Sequence, residues 1–557
     1  MRDVTRACLI ALNFLVLASP HFFGSNAIAL AAATLALLII NFVLAARWTA
    51  AAATSTSPSR PAAIVIGAIA VVLAIIACHA WLREIVIFPI DAQRADMLVV
   101  IQQGLRRVMQ GRNPYTIYHV PWEATLPYGP VLWGPFLTPF LLHADLRFAS
   151  LIGELFVPVS CAIAAATLAA RGRMTPAVAA MIVMAAIVFS PDLHGFASIA
   201  HTPSYWPLLA AFAWLVIAER WYAAAIVGGL LIVARTTMVA IAPVLMIAIW
   251  FRARPRFAAA AALLAGAAIL PYLPFAVTDP RALAYALYGS YQNLMKTFVW
   301  TSTRWAHDTI GVTGLLLRAG GSRLVEPAQI AAMLAAYAGA WHALRRGSAP
   351  LPWMALALLV FSMTTLWPVH YIYFDVFLLL ASGAVAEWFR SRIATAWTGT
   401  LLAALAIVVA MTLVDLPRDP DIDIGTGAAR PLLYSGFADD EHGDRSFTWV
   451  DGERATILVP RRVRRDADVE IICQPNLPTA TATQQMSAAL NGIVLGTVAL
   501  REGWQSVVLA APARTWQIGT NVLTLTFSSA MSPREAGVSV DPRRLSAAFD
   551  RLTVRTR

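Results

Sequence analysis

The chain has 557 residues, of which 59% are hydrophobic and only 13% are charged. An ordinary soluble domain carries about 25% charged residues, so this composition excludes a wholly soluble globular enzyme and also a disordered or fibrous protein. The formal net charge is +11, but the arginines cluster in short segments between apolar runs. The positive-inside rule places basic residues there, so the pattern indicates a polytopic membrane protein and argues against nucleic-acid binding.

Cysteine usage and the lack of cofactor motifs narrow the chemistry further. The four cysteines do not form a disulfide framework, because Cys8, Cys78 and Cys161 lie in apolar runs and Cys473 has no obvious partner. No Cys/His cluster has the spacing of a zinc site, and no P-loop or dinucleotide fingerprint occurs in the sequence. The sequence therefore predicts neither a metal nor a cofactor.

Residues 1–414 form the first predicted domain, in which apolar runs alternate with short polar connections. They predict about thirteen transmembrane helices, of which several are shorter than the roughly 20 residues that a span needs. Two of the runs meet at Arg235, and one long bent helix is an alternative to two short helices there. The last predicted span lies near 394–414.

Arginine placement predicts the orientation of this domain. With a cytoplasmic N-terminus, the arginine-rich connections lie on the cytoplasmic side, and 83–146, 278–325 and everything after 414 lie on the outer side. This topology requires that 128–142 does not cross the membrane, and its prolines and glycines favour an interfacial or re-entrant segment. The arginine- and alanine-rich composition is typical of a GC-rich bacterial genome, so we expect a multi-pass protein of a bacterial inner membrane.

The composition changes after residue 414. Residues 415–445 are rich in Asp, Pro and Gly and predict a polar linker. In 446–557, short β-rich runs alternate with turns, which predicts an all-β sandwich on the extracytoplasmic side. A Gly-x-Asn-x-Leu-x-Leu block at 519–525 resembles galactose-binding-like jelly rolls. This resemblance is compatible with glycan binding and equally with a spacer or a partner surface.

The first outer loop, 83–146, contains the most informative stretch. Residues 94–110 predict a helix with one apolar face, which would lie flat on the outer leaflet. Asp91 and Asp96 lie at its N-terminal end. Helix capping alone can account for either aspartate, because the helix dipole and free backbone N–H groups stabilise an acid there.

Two short motifs follow this helix, Gly111-x-Asn113-Pro114-Tyr115 and then Tyr128-Gly129-Pro130. An acid on an interfacial helix followed by these motifs resembles the first loop of GT-C glycosyltransferases. The closest similarity is to the branch that includes bacterial polyprenyl-phosphate-mannose-dependent mannosyltransferases. The resemblance implies that Asp96 is the catalytic base, with Asp91 as the alternative. We place Tyr115 and Tyr128 in the substrate site.

The chemistry of such a transfer explains this set of residues. The acceptor hydroxyl needs a carboxylate within hydrogen-bond reach to remove its proton as it attacks the sugar. The leaving group is a lipid phosphate, which departs as a stable anion and needs cations or hydrogen-bond donors rather than a second acid. One base with nearby cations is therefore expected, unlike the paired carboxylates of glycosidases.

Arg235 is the first candidate cation. An arginine among apolar helices is costly and is a functional candidate, although it can also snorkel to the interface. The family resemblance places a basic residue here, so we assign Arg235 to the donor phosphate, together with Lys296 and Arg304 of the second outer loop. The aromatic residues of that loop fit sugar binding and equally fit a membrane-interface belt. His370 and Tyr371, at the start of an apolar run, complete the predicted substrate site.

The sequence thus predicts an integral membrane glycosyltransferase with a GT-C-like helical domain and a C-terminal all-β sandwich. It would transfer mannose or a similar sugar from a polyprenyl-phosphate donor to a glycolipid or cell-envelope polysaccharide on the outer face. A transporter or lipid flippase is the main alternative, although we see no internal repeat of the kind that transporters often carry. A non-catalytic envelope-assembly protein is a third interpretation, and it would need neither Asp96 nor Arg235.

Overall fold

The structure is a computed structural model. It describes residues 2–17, 26–48, 60–120, 122–196, 198–302, 308–388, 405–412, 414–442, 445–477 and 482–557. The chain divides into two compact units. The first, called here the helical unit, comprises Met1–Trp81, Ile90–Thr138 and Leu146–Val408, and the second, called the β-unit, comprises Leu82–Pro89, Pro139–Asp145 and Val409–Arg557.

Apolar helices dominate the first 388 residues of the chain. Helices of eight or more residues are Arg2–Leu17, Ala27–Arg47, Arg60–Ile87, Ala92–Met109, Arg147–Ala170, Met174–Val188, Trp206–Ile217, Trp221–Ala234, Ile241–Arg252, Phe257–Ile269, Gly311–Arg318, Val325–Arg345, Pro350–Thr364 and Phe374–Trp388. Shorter α-helices are Pro130–Trp133, Leu137–Leu141, Pro191–Phe196, Leu273–Thr278, Pro280–Ala284 and Ser290–Leu294. A helical, membrane-type region therefore precedes the β-rich part of the chain.

The predicted number of about thirteen spans is not confirmed. Among the described residues, five helices are long and apolar enough to cross a membrane: Ala27–Arg47, Pro61–Val86, Arg147–Ala170, Arg254–Thr278 and Tyr371–Trp388. Other apolar runs form shorter helices, because prolines and 3₁₀ turns interrupt them, as at Thr202–Tyr205 before Trp206–Ile217. The predicted span at 394–414 lies mostly outside the described residues, and only 405–412 of it is described as helix.

The predicted first outer loop, 83–146, contains the expected helix, at Ala92–Met109, with a kink at Ala95. Two residues of its apolar face, Ile101 and Leu105, are each only 1% exposed and pack inside the protein. A two-stranded antiparallel hairpin follows, with β1 at Ile117–His119 and β2 at Glu123–Thr125. The segment 128–142 forms two short helices joined by a 3₁₀ turn.

The predicted second outer loop, 278–325, contains a helical segment over 280–299. Two five-residue π-helical stretches, Tyr285–Gly289 and Met295–Val299, interrupt its α-helical turns. Such π-helical insertions are uncommon and often occur near functional sites. The described part of this loop belongs to the helical unit.

The β-unit contains two antiparallel sheets that enclose an apolar core. Its strands are β3 Asp421–Asp423, β4 Leu433–Ser435, β5 Phe437–His442, β6 Ser446–Asp451, β7 Arg454–Arg461, β8 Ala467–Pro475, β9 Gln484–Leu490, β10 Ile493–Leu500, β11 Gln505–Ala511, β12 Gly519–Phe527 and β13 Leu545–Thr556. One sheet has the order β10-β9-β12-β7-β4, and the other has the order β11-β8-β13-β6-β5, with β3 also paired to β13. Trp516, Phe527 and Phe549 are among the large side chains of the core between them. The predicted all-β sandwich is thus present.

The predicted linker at 415–445 is wrong. This segment contributes β3, β4 and β5 to the two sheets. Ile422 and Ile424 are buried in the apolar core, at 5% and 0% exposure. These strands are short and lie among Asp, Pro and Gly, so the local composition indicates a loop. Their long-range pairing with β13, β7 and β6 makes them part of the sandwich.

Candidate functional site

Arg235 lies at a break between two apolar helices. The helix Trp221–Ala234 ends there, and Arg235 has an extended backbone, with φ −149° and ψ 125°. A 3₁₀ turn, Thr236–Ala240, follows before the next helix begins. The alternative of a single long bent helix is therefore excluded. The side chain is only 9% exposed, so snorkelling to an interface does not account for its placement.

Arg235 belongs to a buried ionic cluster. Its Nη1 donates to Asp375 Oδ2 at 2.9 Å and to the Tyr205 hydroxyl at 3.1 Å. The Tyr205 hydroxyl in turn donates to the Asp375 carboxylate at 2.7 to 2.8 Å, and Trp206 Nε1 donates to it at 3.1 Å. A buried arginine is thus balanced by a buried carboxylate whose oxygens are both hydrogen-bonded.

Only one corner of the Arg235 guanidinium is used in this cluster. Among the described residues, neither Nε nor Nη2 of Arg235 has a hydrogen-bond acceptor, and the Tyr371 ring lies 5.7 Å from its Cζ. A guanidinium offers five N–H donors in a planar fork that suits phosphate oxygens. Asp375 therefore holds the group in place and leaves one edge of it unpaired.

Asp96 has a similar arrangement of one anchored and one unpaired oxygen. The kink at Ala95 starts a new helical segment, and Met97 N–H donates to Asp96 Oδ1 at 2.7 Å. No described residue donates a hydrogen bond to Oδ2. Burial raises the pKa of Asp96, and the Met97 hydrogen bond opposes that rise. A half-buried carboxylate with one unpaired oxygen is suited to accept a proton.

The charges of both Asp96 and Arg235 influence Tyr128. Burial raises its pKa well above the usual value, and the charges of Arg235 and Asp96 both act on it, the first lowering the pKa and the second raising it. Tyr371 also lies within electrostatic range of both Arg235 and Asp96. Four of the predicted site residues, Asp96, Tyr128, Arg235 and Tyr371, are therefore brought together.

His201 joins this group through Tyr128. The Tyr128 hydroxyl and His201 Nε2 lie 2.7 Å apart, and their rings are 4.7 Å apart. Burial, with a contribution from the Arg235 charge, lowers the pKa of His201 to about 3. The imidazole is consequently neutral at physiological pH, and a hydrogen bond between two neutral groups joins it to the Tyr128 hydroxyl.

The Tyr128-Gly129-Pro130 motif forms the turn that positions Tyr128. A Cβ on Gly129 would lie 2.2 Å from the Val233 carbonyl oxygen, so only glycine permits this close approach to the end of the helix that precedes Arg235. Pro130 then begins a short helix, with Gly129 at its N-cap. The motif thus joins the first outer loop to the Arg235 break.

Tyr115 lies behind Tyr128 and supports it. It is 1% exposed, and its hydroxyl donates to the Tyr128 carbonyl at 3.1 Å. Asn113 Oδ1 accepts from the Tyr115 N–H at 2.9 Å, which closes a local turn. The Asn-Pro-Tyr motif therefore holds the Tyr128 turn in place.

The remaining predicted residues lie elsewhere or are not described. Lys296 Nζ donates to Glu326 at 2.7 Å on an exposed surface, so its positive charge already has a carboxylate partner. Arg304 and the side chain of His370 lie outside the described residues. Asp91 precedes the Ala92–Met109 helix, and its backbone carbonyl accepts from the N–H groups of Arg94 and Ala95.

Asp375 is the principal site residue that sequence reasoning missed. The available signal was an acid in the first turn of the apolar helix Phe374–Trp388, since an acid inside a membrane segment is a functional candidate. Tyr291, in the second outer loop, is likewise within electrostatic range of Arg235 and Tyr371. No group of three or more His, Cys, Asp or Glu side chains arranged to hold a metal ion occurs in the part of the chain that is described.

No protein-family model matches the chain, and no curated protein matches its sequence. Solved carbohydrate-binding modules resemble the C-terminal β-sandwich. The C-terminal family 6 module of a laminarinase from Zobellia galactanivorans is 14% identical, covers 25% of this chain and 100% of its own, and has a TM-score of 0.17. A family 35 module from Clostridium thermocellum is also 14% identical, covers 25% of this chain and 100% of its own, and has a TM-score of 0.17. A family 36 module of a xylanase from the hindgut metagenome of Trinervitermes trinervoides is 9% identical, with coverage of 25% and 98% and a TM-score of 0.17.

Proposed function

We propose that this protein is a membrane glycosyltransferase of the GT-C type that transfers a sugar from a polyprenyl-phosphate donor. The acceptor would be a glycolipid or a cell-envelope polysaccharide on the outer face of the membrane. One observation carries the proposal: Asp96 and Arg235 each use one polar edge within the protein and keep the other unpaired among the described residues. Both groups act electrostatically on Tyr128 and Tyr371.

The unpaired edges fit the two requirements of the transfer. Asp96 Oδ2 takes the proton of the acceptor hydroxyl while the hydroxyl oxygen forms a bond to the anomeric carbon of the sugar. The bond between that carbon and the phosphate oxygen breaks, and the lipid phosphate leaves with the electron pair. The Nε and Nη2 edge of Arg235 donates to the phosphate and stabilises its charge in a site of low dielectric.

The surroundings support these roles. Burial raises the pKa of Asp96, which brings its basicity closer to that of an effective general base at neutral pH. Asp375 and Tyr205 fix the orientation of Arg235 before the donor binds, so little reorganisation is needed. Mannose is the sugar that the family resemblance suggests, and a related hexose or pentose is compatible with the same chemistry.

The substitution Asp96→Asn tests the proposal. It preserves the size of the side chain and the oxygen that accepts from Met97, but it removes the basicity. Transfer of a labelled sugar from its polyprenyl phosphate in membranes should fall at least about a hundredfold. Thermal stability should remain near wild type, because Asn and Asp cap helices about equally well. Asp91→Asn is the matched control and should retain transfer.

The pH dependence supplies a second readout. A protonated Asp96 cannot accept a proton, so kcat/KM should fall as the pH decreases through the pKa of Asp96. Because burial raises this pKa, the midpoint should lie above the ordinary aspartate value of 3.8. Residual activity of Asp96→Asn should lack this acidic limb. Full activity in both asparagine variants would contradict the transfer mechanism and favour a transporter, whereas loss in Asp91→Asn alone would move the base to Asp91.

A further inference from the structure

Three aromatic side chains form a cluster on the outer face of one sheet of the β-unit. In β6, Thr448 and Val450 are buried in the sandwich, and the alternating residues Phe447 and Trp449 are only half-buried. Trp504, which precedes β11, is also half-buried. The Phe447 ring lies 6.2 Å from Trp449 and 5.7 Å from Trp504 between ring centroids.

The register of the sheet explains why these residues share a face. Thr448 pairs with Phe549, Phe549 pairs with Cys473, and Cys473 pairs with Gln505. Directly paired residues point to the same side, and Thr448, Phe549 and Cys473 are all fully buried. Phe447 is one residue away from this row in β6, so it projects from the opposite side of the sheet. Its ring contact with Trp504, just before β11, places Trp504 on that same side.

An ion pair borders the aromatic cluster. Arg445 Nη1 lies 2.8 Å from Asp550 Oδ2, and the Arg445 Cζ lies 4.8 Å from the Trp504 ring centroid. The Arg445 and Asp550 side chains are 42% and 19% exposed, so part of each remains open to solvent. This pair therefore supplies both donors and acceptors beside the rings and is itself neutral.

We propose that Phe447, Trp449 and Trp504, with the Arg445–Asp550 pair, form a binding site for neutral saccharides. Aromatic faces pack against the apolar C–H face of a pyranose ring, while its hydroxyls need both donors and acceptors at the edge. The rings are held edge to face, at interplanar angles of 86° and 65°, so presenting them to a ligand costs little conformational entropy.

The size of the cluster favours a saccharide over a protein partner. Three aromatic side chains offer at most about 450–750 Å² even when they are wholly exposed. Here they are half-buried, and a stable protein interface buries about 800 Å² on each side. Because Asp550 already balances Arg445, the pair favours an uncharged sugar over an anionic glycan. This inference does not rest on the proposed transferase chemistry, because none of its residues takes part in that reaction.

A glycan array with the purified full-length protein in detergent tests the site. The probes are neutral oligosaccharides of mannose, glucose, galactose and arabinose, with uronic-acid oligosaccharides for comparison. The wild type should retain at least one neutral probe. Trp449→Ala and Trp504→Ala should each weaken that binding at least about tenfold, as expected for truncation of an aromatic anchor. Trp449→Phe should recover part of the loss.

Two controls keep this test separate from the transfer chemistry. Trp122→Ala removes a tryptophan that is 44% exposed in the helical unit and should leave glycan binding unchanged. Asp96→Asn should also bind glycan normally, even though transfer is lost. If an alanine variant has a lowered unfolding temperature, Arg445→Gln is measured in its place. This variant should also weaken binding of the neutral probe. Retention of no neutral probe, equal binding in the aromatic variants, or selective binding of the uronic-acid probes would overturn the proposal.

Discussion

Arg235 shows how a single residue combines a structural cost with the functional role proposed for it. A buried guanidinium requires a counter-charge, and Asp375 supplies it at 2.9 Å. Helix packing alone does not require this ion pair, since well-packed apolar residues often replace such a pair without loss of stability. Its value lies in geometry, because Nη1 is fixed and the opposite edge remains unpaired among the described residues.

This arrangement makes Arg235→Lys the informative substitution at the residue scale. Lysine keeps the positive charge beside Asp375, so the fold should be retained. Its single ammonium group cannot both pair with Asp375 and present a second donor edge to a phosphate. The KM for the polyprenyl-phosphate donor should rise by about ten- to a hundredfold, as expected for loss of a charge-assisted hydrogen bond. Initial-rate kinetics at varied donor concentration measure this change.

Asp375→Asn is the contrasting control for that prediction. It leaves the Arg235 charge buried without a counter-charge, so it should lower the free energy of unfolding by about 3–5 kcal/mol. Thermal unfolding in detergent should therefore separate the two variants clearly. An unchanged donor KM in Arg235→Lys would remove Arg235 from the donor site and leave it as a structural ion-pair partner.

At the element scale, the Tyr128-Gly129-Pro130 turn is the connection most sensitive to substitution. Gly129→Ala places a methyl group 2.2 Å from the Val233 carbonyl oxygen and must displace the turn or the helix end. We expect a loss of about 1–3 kcal/mol in stability together with strongly reduced transfer, because Tyr128 moves with the turn. Thermal unfolding and the labelled-sugar assay measure the two effects.

Gly134→Ala is the matched control in the same segment. Gly134 is helical, with φ −56° and ψ −43°, and a Cβ there meets no atom within 4 Å. Its effect on stability should be within about 0.5 kcal/mol. Equal behaviour of the two alanine variants would contradict the tight contact at Gly129.

Elements with a strong local pattern could be predicted from the sequence, whereas elements defined by distant partners could not. The Ala92–Met109 helix follows from its apolar periodicity, but the kink at Ala95 that places Asp96 at a new helix start has no local signal. Asp375 lies 140 residues from Arg235, and only the folded chain brings them together. The strands β3 to β5 were missed because long-range pairing, rather than composition, holds them in the sheets.

At the scale of the whole molecule, the corrected boundary of the sandwich changes where the chain can be cut. Leu416 is buried at 6% exposure, and the backbone carbonyl of Arg418 accepts from Arg461 Nε at 3.1 Å. A truncation after Arg430 would leave Ile422 and Ile424 without their core. We expect a chain ending at Val414 to aggregate less than one ending at Arg430, which also exposes Ile422 and Ile424, and to keep some transfer activity, although both chains lose the sandwich to which Leu82–Pro89 and Pro139–Asp145 belong.

Size-exclusion chromatography and the transfer assay distinguish these outcomes. A monodisperse 1–414 chain without any donor turnover would mean that the sandwich contributes to the reaction. Equal solubility of the two truncated chains would contradict the assignment of 416–430 to the sandwich.

The predicted orientation of the molecule in the membrane rests on its arginine distribution, and single-cysteine labelling tests it directly. Cys78, Cys161 and Cys473 are buried, so replacing the exposed Cys8 should be enough to remove background labelling. Asp439 has a fully exposed side chain, at 103% relative exposure, and Arg346 is also exposed. The Asp439→Cys variant should react with a membrane-impermeant maleimide in spheroplasts, whereas Arg346→Cys should react only in inverted vesicles. This expectation follows because the positive-inside rule assigns Arg345 and Arg346 to the cytoplasmic side. The reverse labelling pattern would invert the topology. Asp96 and Arg235 would then lie at the wrong face for a polyprenyl-phosphate donor presented outside.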